Sequence, residues 1–245
     1  MAGSVSSRHP AGLHVSLHLY LGAGTRSVGQ VPLARTSFRP GTTGEAPGPV
    51  PPTLVGSLLA FVAVFGLWGA TNWVPTLVRE LPDLQGLDRA VLSTYVSYAI
   101  MALNLGALGG YFCFGPLADR FGRRPIFALM CAGSLVMLPI TFLTPHAYVD
   151  VLLLLPVLGF FNNGIFSGFP IYLPELYPTS LRATGAGFCF NAGRILASTG
   201  PLLTGFLVTS LGSFGRAASA VALIYLVGLA ILPFAPETRG QPLPD

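Results

Sequence analysis

Between residues 115 and 124 the sequence reads Gly115-Pro-Leu-Ala-Asp119-Arg120-Phe-Gly122-Arg123-Arg124, a polar segment between two long charge-free stretches. Gly115 would let a helix end approach a neighbouring helix closely, and Gly122 permits a tight turn. Asp119 can accept from a helix N-terminus or pair with an arginine. A merely basic turn would account for the arginines, but not for an aspartate and two glycines at this spacing. The segment therefore predicts a specific connection between two helices.

This polar segment is unusual in a chain that is poor in charge. Of 245 residues, 52% are hydrophobic and 9% are charged, whereas a soluble domain has about 25% charged residues. Most of the surface must therefore face a medium other than water, which excludes a soluble enzyme as the default and indicates a lipid bilayer. All 13 basic residues are arginine, so no lysine-rich arm indicates a nucleic-acid partner.

Charge-free intervals predict the membrane spans, because a bilayer-spanning helix needs about 20 predominantly apolar residues. Six such intervals occur, one of them interrupted only by Arg194. The expected fold is an all-α membrane protein whose transmembrane domain covers residues 53–236. Trimmed at their Pro, Gly and aromatic ends, the six helices are predicted near 54–75, 90–114, 125–144, 150–172, 183–210 and 217–235.

The regions outside these spans are short or have a different composition. Residues 1–52 are rich in Ser, Gly, Thr and Pro, a composition that forms no core. We interpret them as a disordered or mis-assigned N-terminal tail, although an arginine-rich, acid-poor start loosely resembles a transit peptide. Residues 237–245 form a second short tail.

The arginines predict the orientation, because cytoplasmic loops collect basic residues. With the N-terminal tail inside, nine arginines are cytoplasmic and only Arg79, Arg89 and Arg216 lie outside. We therefore expect both termini to be cytoplasmic in an integral protein of the plasma or inner membrane.

Two further segments complete a set of three motifs. They read Pro174-Glu175-Leu-Tyr-Pro178-Thr-Ser-Leu-Arg182-Ala-Thr-Gly185-Ala-Gly187 and Pro236-Glu237-Thr238-Arg239-Gly240. Residues 115–124 resemble the G-x-x-x-D-R-x-G-R-R signature of the major facilitator superfamily. The second segment is similar to the loop before the eleventh helix in its metabolite and sialate/aromatic-acid proton symporter branch. The third resembles the ending after the twelfth helix in sugar-porter-like members.

This resemblance covers roughly Leu54 to Gly240 and implies helices seven to twelve, the C-terminal six-helix half of the fold. It implies a secondary transporter for a small organic anion or sugar-like metabolite, a proton-coupled symporter when complete. Because the family has twelve spans, the expected partners are the bilayer, a small-molecule substrate, and a second six-helix half or a homodimer. The alternative is a truncated, non-transporting protein that needs or binds a partner half. The sequence contains no nucleophile and base pair, no metal cluster and no phosphate loop. It therefore predicts neither an enzyme nor a bound metal or cofactor.

The acidic residues support dependence on another half. Proton relays are usually intramembrane carboxylates or histidines, yet Asp119, Asp150, Glu175 and Glu237 all fall at span edges. The resemblance implies that the loop aspartate reaches the opposite half, so Asp119 would lack its main partner here.

The motif residues form the predicted gate, comprising Gly115, Asp119, Arg120, Gly122, Arg123, Arg124, Glu175, Arg182 and Glu237. Arg123 or Arg124 is expected to pair with Glu175 or Glu237. An exposed pair contributes only about 0–1 kcal/mol, so independently solvated charges remain the alternative.

Polar residues within the spans are candidates for substrate binding. Trp68 and Asn72 continue a helical stripe with Phe61 and Phe65, although such a stripe is more often core. Tyr98 and Asn104 in the second span, and Asn163 with its neighbour Asn162 in the fourth, are expected either to bind a ligand or to bridge helices.

The fifth span has one polar face, formed by Thr184, Gly187, Asn191, Arg194 and Ser198. Asn191 and Arg194 are therefore predicted to bind substrate. An arginine near a helix centre costs about 2.5–3.5 kcal/mol on insertion scales, so Arg194 should face the bundle interior. The alternative places the membrane segment after Arg194, whose side chain then snorkels to the surface.

Small residues predict close packing rather than sites. Ala102, Gly106 and Gly110 form a row in the second span, as Gly164 and Gly168 do in the fourth. The three cysteines match neither a metal pattern nor a disulfide framework, and we expect them to be buried.

Overall fold

The computed structural model describes residues 51–244, which contain helices but no strands. Three 3₁₀ turns accompany the α-helices, at Pro82–Leu84, Ile165–Ser167 and Leu232–Phe234. The predicted N-terminal tail lies, up to residue 50, outside the described residues. The helices are α1 (Pro52–Thr71), α2 (Val74–Glu80), α3 (Arg89–Phe121), α4 (Arg123–Leu143), α5 (Tyr148–Gly164), α6 (Gly168–Glu175), α7 (Arg182–Ala197), α8 (Gly200–Leu211), α9 (Phe214–Val221) and α10 (Ile224–Ile231).

These helices form six stretches that are long and apolar enough to cross a bilayer, which confirms the six predicted helices. We number them as spans 1 to 6 in chain order: Pro52–Glu80, Arg89–Phe121, Arg123–Leu143, Tyr148–Glu175, Arg182–Leu211 and Phe214–Phe234.

Span 2 is longer than predicted, because the expected helix 90–114 continues to Phe121. Residues 115–121 are therefore helical, and only Gly122 separates spans 2 and 3. Gly122 has a φ of 105°, which confirms the tight turn that was expected there. The charge-free interval underestimates the length of the helix, because a helix can include charged residues once it has left the hydrocarbon region of the bilayer.

Four spans are interrupted along their length, which the uniform apolar pattern did not predict. Short turns lie at 72–73 in span 1, 198–199 in span 5 and 222–223 in span 6, and span 4 contains the 3₁₀ turn Ile165–Ser167. Irregular backbone at membrane depth is tolerated where it is buried in protein or lines a cavity. These interruptions therefore mark positions that neighbouring spans must cover.

Glycines hold spans 2 and 4 in backbone contact. A Cβ at Gly106 would overlap the Pro156 carbonyl oxygen, and one at Gly110 would overlap that of Phe160. Gly164 packs against Gly110, and Gly168 lies against the Phe114 and Phe127 rings. The predicted packing role of these glycines is confirmed.

The core of the bundle contains a buried polar contact between spans 4 and 6. The Tyr225 hydroxyl donates to Asn162 Oδ1, and both residues are fully buried. Gly66 of span 1 leaves room for that hydroxyl, since a Cβ there would overlap it. Asn162 therefore bridges helices, which was one of its two expected uses.

The ends of spans 2 and 4 that lie near Asp83 are tied to the loops between spans. Asp83 accepts a hydrogen bond from the Tyr148 backbone N–H at 2.8 Å, and Asp88 accepts one from Ala90 at 3.0 Å. Both carboxylates thus satisfy N–H groups at helix N-termini, where negative charge is favourable. We call this the Asp83 end and the opposite side of the bundle the Arg123 end.

The cysteines do not all have the expected environment. Cys131 and Cys189 are buried, but Cys113 is exposed. The expectation was wrong for Cys113, because no helix among residues 51–244 covers this position of span 2.

Candidate functional site

The motif residues meet at the Arg123 end, where the Arg123 guanidinium joins spans 2, 3 and 4. Its Nη2 and Nε donate to the two Glu175 oxygens at 2.8 and 3.2 Å. Its Nη1 donates to Asp119 Oδ1 at 2.7 Å and to the Ala118 carbonyl at 3.1 Å. Four of the five guanidinium N–H donors are thus occupied, in the fork geometry that suits a carboxylate.

Burial distinguishes this pair from the exposed pair that the sequence suggested. The side chains of Arg123 and Glu175 are 10% and 15% exposed. Removing one partner of a buried pair leaves an uncompensated charge and costs about 3–5 kcal/mol. The pair is therefore not the exposed one that the sequence suggested, because the ends of spans 3 and 4 exclude water from both groups.

Glu237, the other expected acidic partner, acts through the backbone. Its carboxylate accepts the N–H groups of Arg123 at 2.8 Å and Arg124 at 3.0 Å, the first residues of α4, and that of Arg239 at 3.1 Å. Burial raises the pKa of this carboxyl, but the three N–H donors and the nearby Arg124 charge outweigh it and hold the pKa below its ordinary value of 4.5. Glu237 thus caps span 3 from the C-terminal side of the chain.

The rest of the C-terminal segment, residues 235–244, crosses the same end of the bundle. The Thr238 hydroxyl donates to Glu175 Oε2 at 2.5 Å, and the Tyr172 hydroxyl donates to the Pro236 carbonyl at 2.9 Å. The Arg124 guanidinium donates to the Ala235 carbonyl, and to that of Pro233 at 2.9 Å. This segment therefore fastens spans 3 and 4 together around Glu175.

Four predicted gate residues lie less centrally. Asp119 pairs with Arg123, but its side chain is 74% exposed. Arg120 is exposed and contacts the Phe121 ring, with 5.4 Å between the guanidinium carbon and the ring centroid. Arg182 donates to the Pro244 carbonyl at 3.2 Å, and Gly115 meets only an ordinary contact with Ile171, so its expected close approach was wrong.

A second group of side chains lies where spans 1, 4 and 5 meet. Phe190 of span 5 packs against Phe166 and Phe169 of span 4, with ring centroids 6.5 and 5.8 Å apart. Phe61 and Trp68 of span 1 border the same apolar cluster as Phe190. The result is an aromatic surface, which we call the Phe190 surface, contributed by three spans.

Arg194 lies one helical turn beyond Phe190 and is exposed. Its guanidinium carbon lies 5.9 Å from the Phe190 ring centroid, within the range of a cation–π contact. Both ion pairs among residues 51–244 use Arg123, and in that range the Arg194 guanidinium donates no hydrogen bond. Arg194 is thus a charged side chain with its donors available.

The polar face predicted on span 5 is exposed at all five of its positions. The Asn191 amide donates to the Gly187 carbonyl of its own helix at 2.8 Å. Asn191 also lies on a groove of about 640 Å³ along this span, lined by Thr184, Gly187, Phe188, Asn191, Ala192, Ile195 and Leu196.

The remaining substrate-binding candidates are dispersed. Trp68 is half-buried at the Phe190 surface, and Asn72 is exposed in the turn of span 1. On span 2, Tyr98 is exposed, and the exposed Asn104 donates to the Ile100 carbonyl of its own helix at 2.9 Å. Asn163 is buried, and its amide nitrogen has no partner among the described residues. Trp68 packs against the same apolar cluster as Phe190, whereas Tyr98 and Asn104 lie on span 2.

Sequence reasoning missed several residues of these two groups. Phe190 and Phe166 carried no signal beyond hydrophobicity, since aromatic residues occur throughout the spans. Tyr172 and Thr238 lie close to predicted gate residues along the chain, but their roles depend on contacts 64 and 63 residues away. Only proximity to a motif could have suggested the latter two.

Comparisons with known proteins agree with this architecture. The family described as Sugar (and other) transporter matches residues 86–245. A Haemophilus influenzae protein named as a metabolite transport protein is 33% identical over 188 residues, which are 76% of this chain and 44% of that protein. The 3-(3-hydroxy-phenyl)propionate transporter of Escherichia coli is 30% identical over 202 residues, covering 82% of this chain and 48% of that one.

A crystal structure of a double-tryptophan mutant of XylE shares the fold, with a TM-score of 0.59 at 20% identity. The match covers 78% of this chain and 46% of that chain. The chain thus spans about half the length of the proteins it matches. The family match agrees with the six apolar spans and with the three motifs that meet at one end of the bundle. The chain belongs to the sugar (and other) transporter family of the major facilitator superfamily, whose members are membrane transporters and not enzymes.

Proposed function

We propose that the chain forms the C-terminal half of a secondary transporter for small organic anions, in which Arg194 binds a substrate carboxylate. The observation that carries this proposal is the exposed Arg194 guanidinium, which has no acidic partner among residues 51–244. Guanidinium suits a carboxylate because its parallel N–H groups match both oxygens at once.

The depth of Arg194 favours a ligand over a surface role. Span 5 has 30 residues, and Arg194 lies about 18 Å along it from Arg182 at 1.5 Å per residue. An arginine at that depth on a lipid-facing side would cost about 2.5–3.5 kcal/mol on insertion scales. A water-filled or protein-lined cavity around Arg194 avoids this cost, and an anionic substrate can enter such a cavity.

The named substrate of one relative has the chemistry that this site would bind. 3-(3-Hydroxyphenyl)propionate, for which the Escherichia coli relative is named, carries a single carboxylate and an aromatic ring. Arg194 offers a partner for the first, and the Phe190 surface offers one for the second. The sugar-like alternative would instead need several neutral hydrogen-bonding groups, which the Phe190 surface does not offer.

Binding to the purified full chain in phosphatidylcholine nanodiscs tests the role of Arg194, with 3-(3-hydroxyphenyl)propionate as the probe and equilibrium dialysis as the measurement. Arg194→Gln should raise Kd by about tenfold or more, since a hydrogen bond to a charged group contributes about 1.5–3 kcal/mol. Arg194→Lys should retain part of the affinity. Arg216→Gln, which removes an arginine near the start of span 6, is the matched control. An unchanged Kd in both Arg194 variants would contradict the proposal.

A second half is part of this proposal. The most apolar windows of spans 2 and 5 are only 22% and 17% buried, whereas those of the other spans are 39–65% buried. These two spans also expose Asn104, Asn191 and Arg194, which are unfavourable in contact with lipid. A second six-helix half, or a second copy of this chain, would cover both spans.

Proton coupling and the non-transporting alternative depend on that second half. Among residues 51–244 every acidic side chain lies at or near a span end, so we propose that a coupling proton is carried outside this half. In the alternative, the chain binds a partner half without transporting. Uptake by vesicles containing this chain alone would contradict that alternative.

We also propose that the Arg123 end, with both termini, is cytoplasmic in the plasma or inner membrane. The arginine asymmetry supports this orientation. Arg120→Cys and Gln85→Cys, each introduced into a variant in which the native cysteines are serine, should be labelled by an impermeant maleimide from opposite sides. Labelling of both positions from outside intact cells would contradict the proposed topology.

A further inference from the structure

Helices α1 and α7 are in close backbone contact. A Cβ at Gly193 of α7 would lie 2.6 Å from both the Ala60 Cβ and the Phe61 backbone nitrogen of α1. A Cβ at Gly56 of α1 would lie 3.1 Å from Cys189 Sγ of α7. Two helices that touch in this way have no layer of side chains between them that could repack, so they keep their spacing when one of them moves. We call these two helices the α1–α7 pair.

A hydrogen-bonded cluster fastens this pair at the Arg123 end. The Tyr177 hydroxyl, from the loop between spans 4 and 5, donates to Thr53 Oγ1 of α1 at 2.8 Å. The same hydroxyl lies 2.9 Å from Cys189 Sγ of α7, and this thiol is buried. A single loop side chain therefore joins the two helices.

Both helices of the pair end at an interruption of their span. Span 1 turns at residues 72–73, directly after α1, and span 5 turns at 198–199, directly after α7. Hinges are typically a few residues at the end of an element that absorb a change in backbone dihedral angles. The α1–α7 pair therefore has a possible hinge on each of its helices.

Apolar side chains form the contact between the pair and span 4. Phe190 of α7 meets the Phe166 and Phe169 rings, and packed helices in contact through side chains can slide by small amounts. At the Arg123 end a hydrogen bond from Arg182 to the Pro244 carbonyl, at 3.2 Å, joins the pair to the C-terminal segment. These contacts allow the pair to move against span 4, whereas the contacts within the pair hold it rigid.

Tyr225 of span 6 lies between the pair and span 4. Its hydroxyl occupies the notch at Gly66 of α1 and donates to Asn162 Oδ1 of span 4. Tyr225 and Asn162 are both fully buried, and all three residues lie near the middle of their spans. Gly66 is closer to the turn at 72–73 than to the start of α1, so a rotation of the pair about this point moves its Arg123 end most.

We propose that the α1–α7 pair moves as one rigid unit during transport, and that Tyr225 is the positioning residue that forms its pivot. The hydrogen bond to Asn162 keeps the pivot in place, because breaking it would leave two buried polar groups without their partner. Rotation about Tyr225 then opens and closes the bundle at the Arg123 end. This inference goes beyond the proposed function and does not depend on the substrate.

Distances between pairs of spin labels, measured by pulsed EPR on the purified full chain in phosphatidylcholine nanodiscs, test this inference. The labels are attached at Leu54→Cys, Phe112→Cys and Phe188→Cys, three exposed positions on α1, span 2 and α7, in a variant whose native cysteines are serine. The 54–188 distances report on the pair alone and should be narrowly distributed. The 112–188 distances report on the pair against span 2, and their distribution should be wider by about 1–2 Å, the size of helix shifts between packed elements.

Two variants examine the pivot, each with a matched control. Tyr225→Phe removes the hydroxyl and should shift or widen the 112–188 distances by about 1–2 Å while the 54–188 distances stay unchanged. Tyr172→Phe removes the hydroxyl of another buried tyrosine, which bonds the Pro236 carbonyl, and should change neither.

The second variant, Gly66→Ala, places a methyl group where the Tyr225 hydroxyl lies, and should displace the pair in the same measurement. Gly187→Ala is its control, because a Cβ there would meet no atom within 4 Å.

Each contrary result overturns a stated part of the inference. A wild-type 112–188 distribution as narrow as that of 54–188 would show that the pair does not move. Equal changes of both distances in Tyr225→Phe would show that α1 and α7 are not one unit. Unchanged 112–188 distances in both Tyr225→Phe and Gly66→Ala would remove Tyr225 as the pivot. Because none of these distances depends on ligand affinity, the proposed role of Arg194 is tested separately.

Discussion

Arg123 and Arg194 are the same residue type in two regions of one bundle, and they differ in almost every physical respect. Arg123 is buried, and four of its donors are occupied by two carboxylates and a carbonyl. Arg194 is exposed, and its guanidinium lies over the ring of Phe190. An arginine with its donors occupied holds helices together, whereas one with its donors available can bind an anion. The comparison thus supports a structural role for the Arg123 end, and the available donors of Arg194 agree with the role in recognition that we propose for it.

Removing the buried arginine should have the largest effect on stability. Arg123→Leu leaves Glu175 buried without its partner, and we expect a loss of about 3 kcal/mol in the free energy of unfolding. Denaturant titration in detergent micelles measures it. Arg120→Leu is the control, since Arg120 is exposed and forms no ion pair among residues 51–244. A loss below about 1 kcal/mol for Arg123→Leu would show that the pair behaves as an exposed one.

The cap supplied by Glu237 should have an intermediate effect. Glu237→Gln removes the negative charge at the start of span 3, for an expected loss of about 1 kcal/mol.

The same group predicts a dependence on pH. Because the folded chain lowers the pKa of Glu237 below 4.5, its contribution is fully present above that pH and is lost as the pH falls through the lowered pKa. Unfolding measured between pH 7 and pH 3 should therefore show a smaller difference between wild type and Glu237→Gln at the acidic end. A difference independent of pH would contradict the role of the ionised carboxylate.

Removing the exposed arginine should have the smallest effect on stability. Arg194→Leu breaks no ion pair, so the free energy of unfolding should change by less than about 0.5 kcal/mol. The same titration that is used for Arg123→Leu measures it. A loss comparable to that of Arg123→Leu would remove the contrast between the two arginines and indicate a structural role for Arg194.

The two regions also differ in how well the sequence predicted them. At the Arg123 end, Arg123 and Glu175 are charged residues in an apolar chain, so their pairing was foreseeable from charge alone. The burial of the pair and the backbone capping by Glu237 were not, because both depend on how tightly the helix ends pack. At the second region Arg194 was foreseeable as an isolated charge, but Phe190 was not.

The number and approximate position of the spans followed from composition, because hydrocarbon excludes charge and every apolar stretch of sufficient length has few alternatives to a helix. The tight turn at Gly122 and the close contact of spans 2 and 4 were predictable from their glycines, because a residue without a side chain permits both a tight turn and a close approach of two helices. The 3₁₀ turn at Ile165–Ser167, the Tyr225–Asn162 bond and the aromatic surroundings of Arg194 depend on residues far apart in the chain. Apolar side chains look alike in sequence, and which of them meet is settled only when the helices pack.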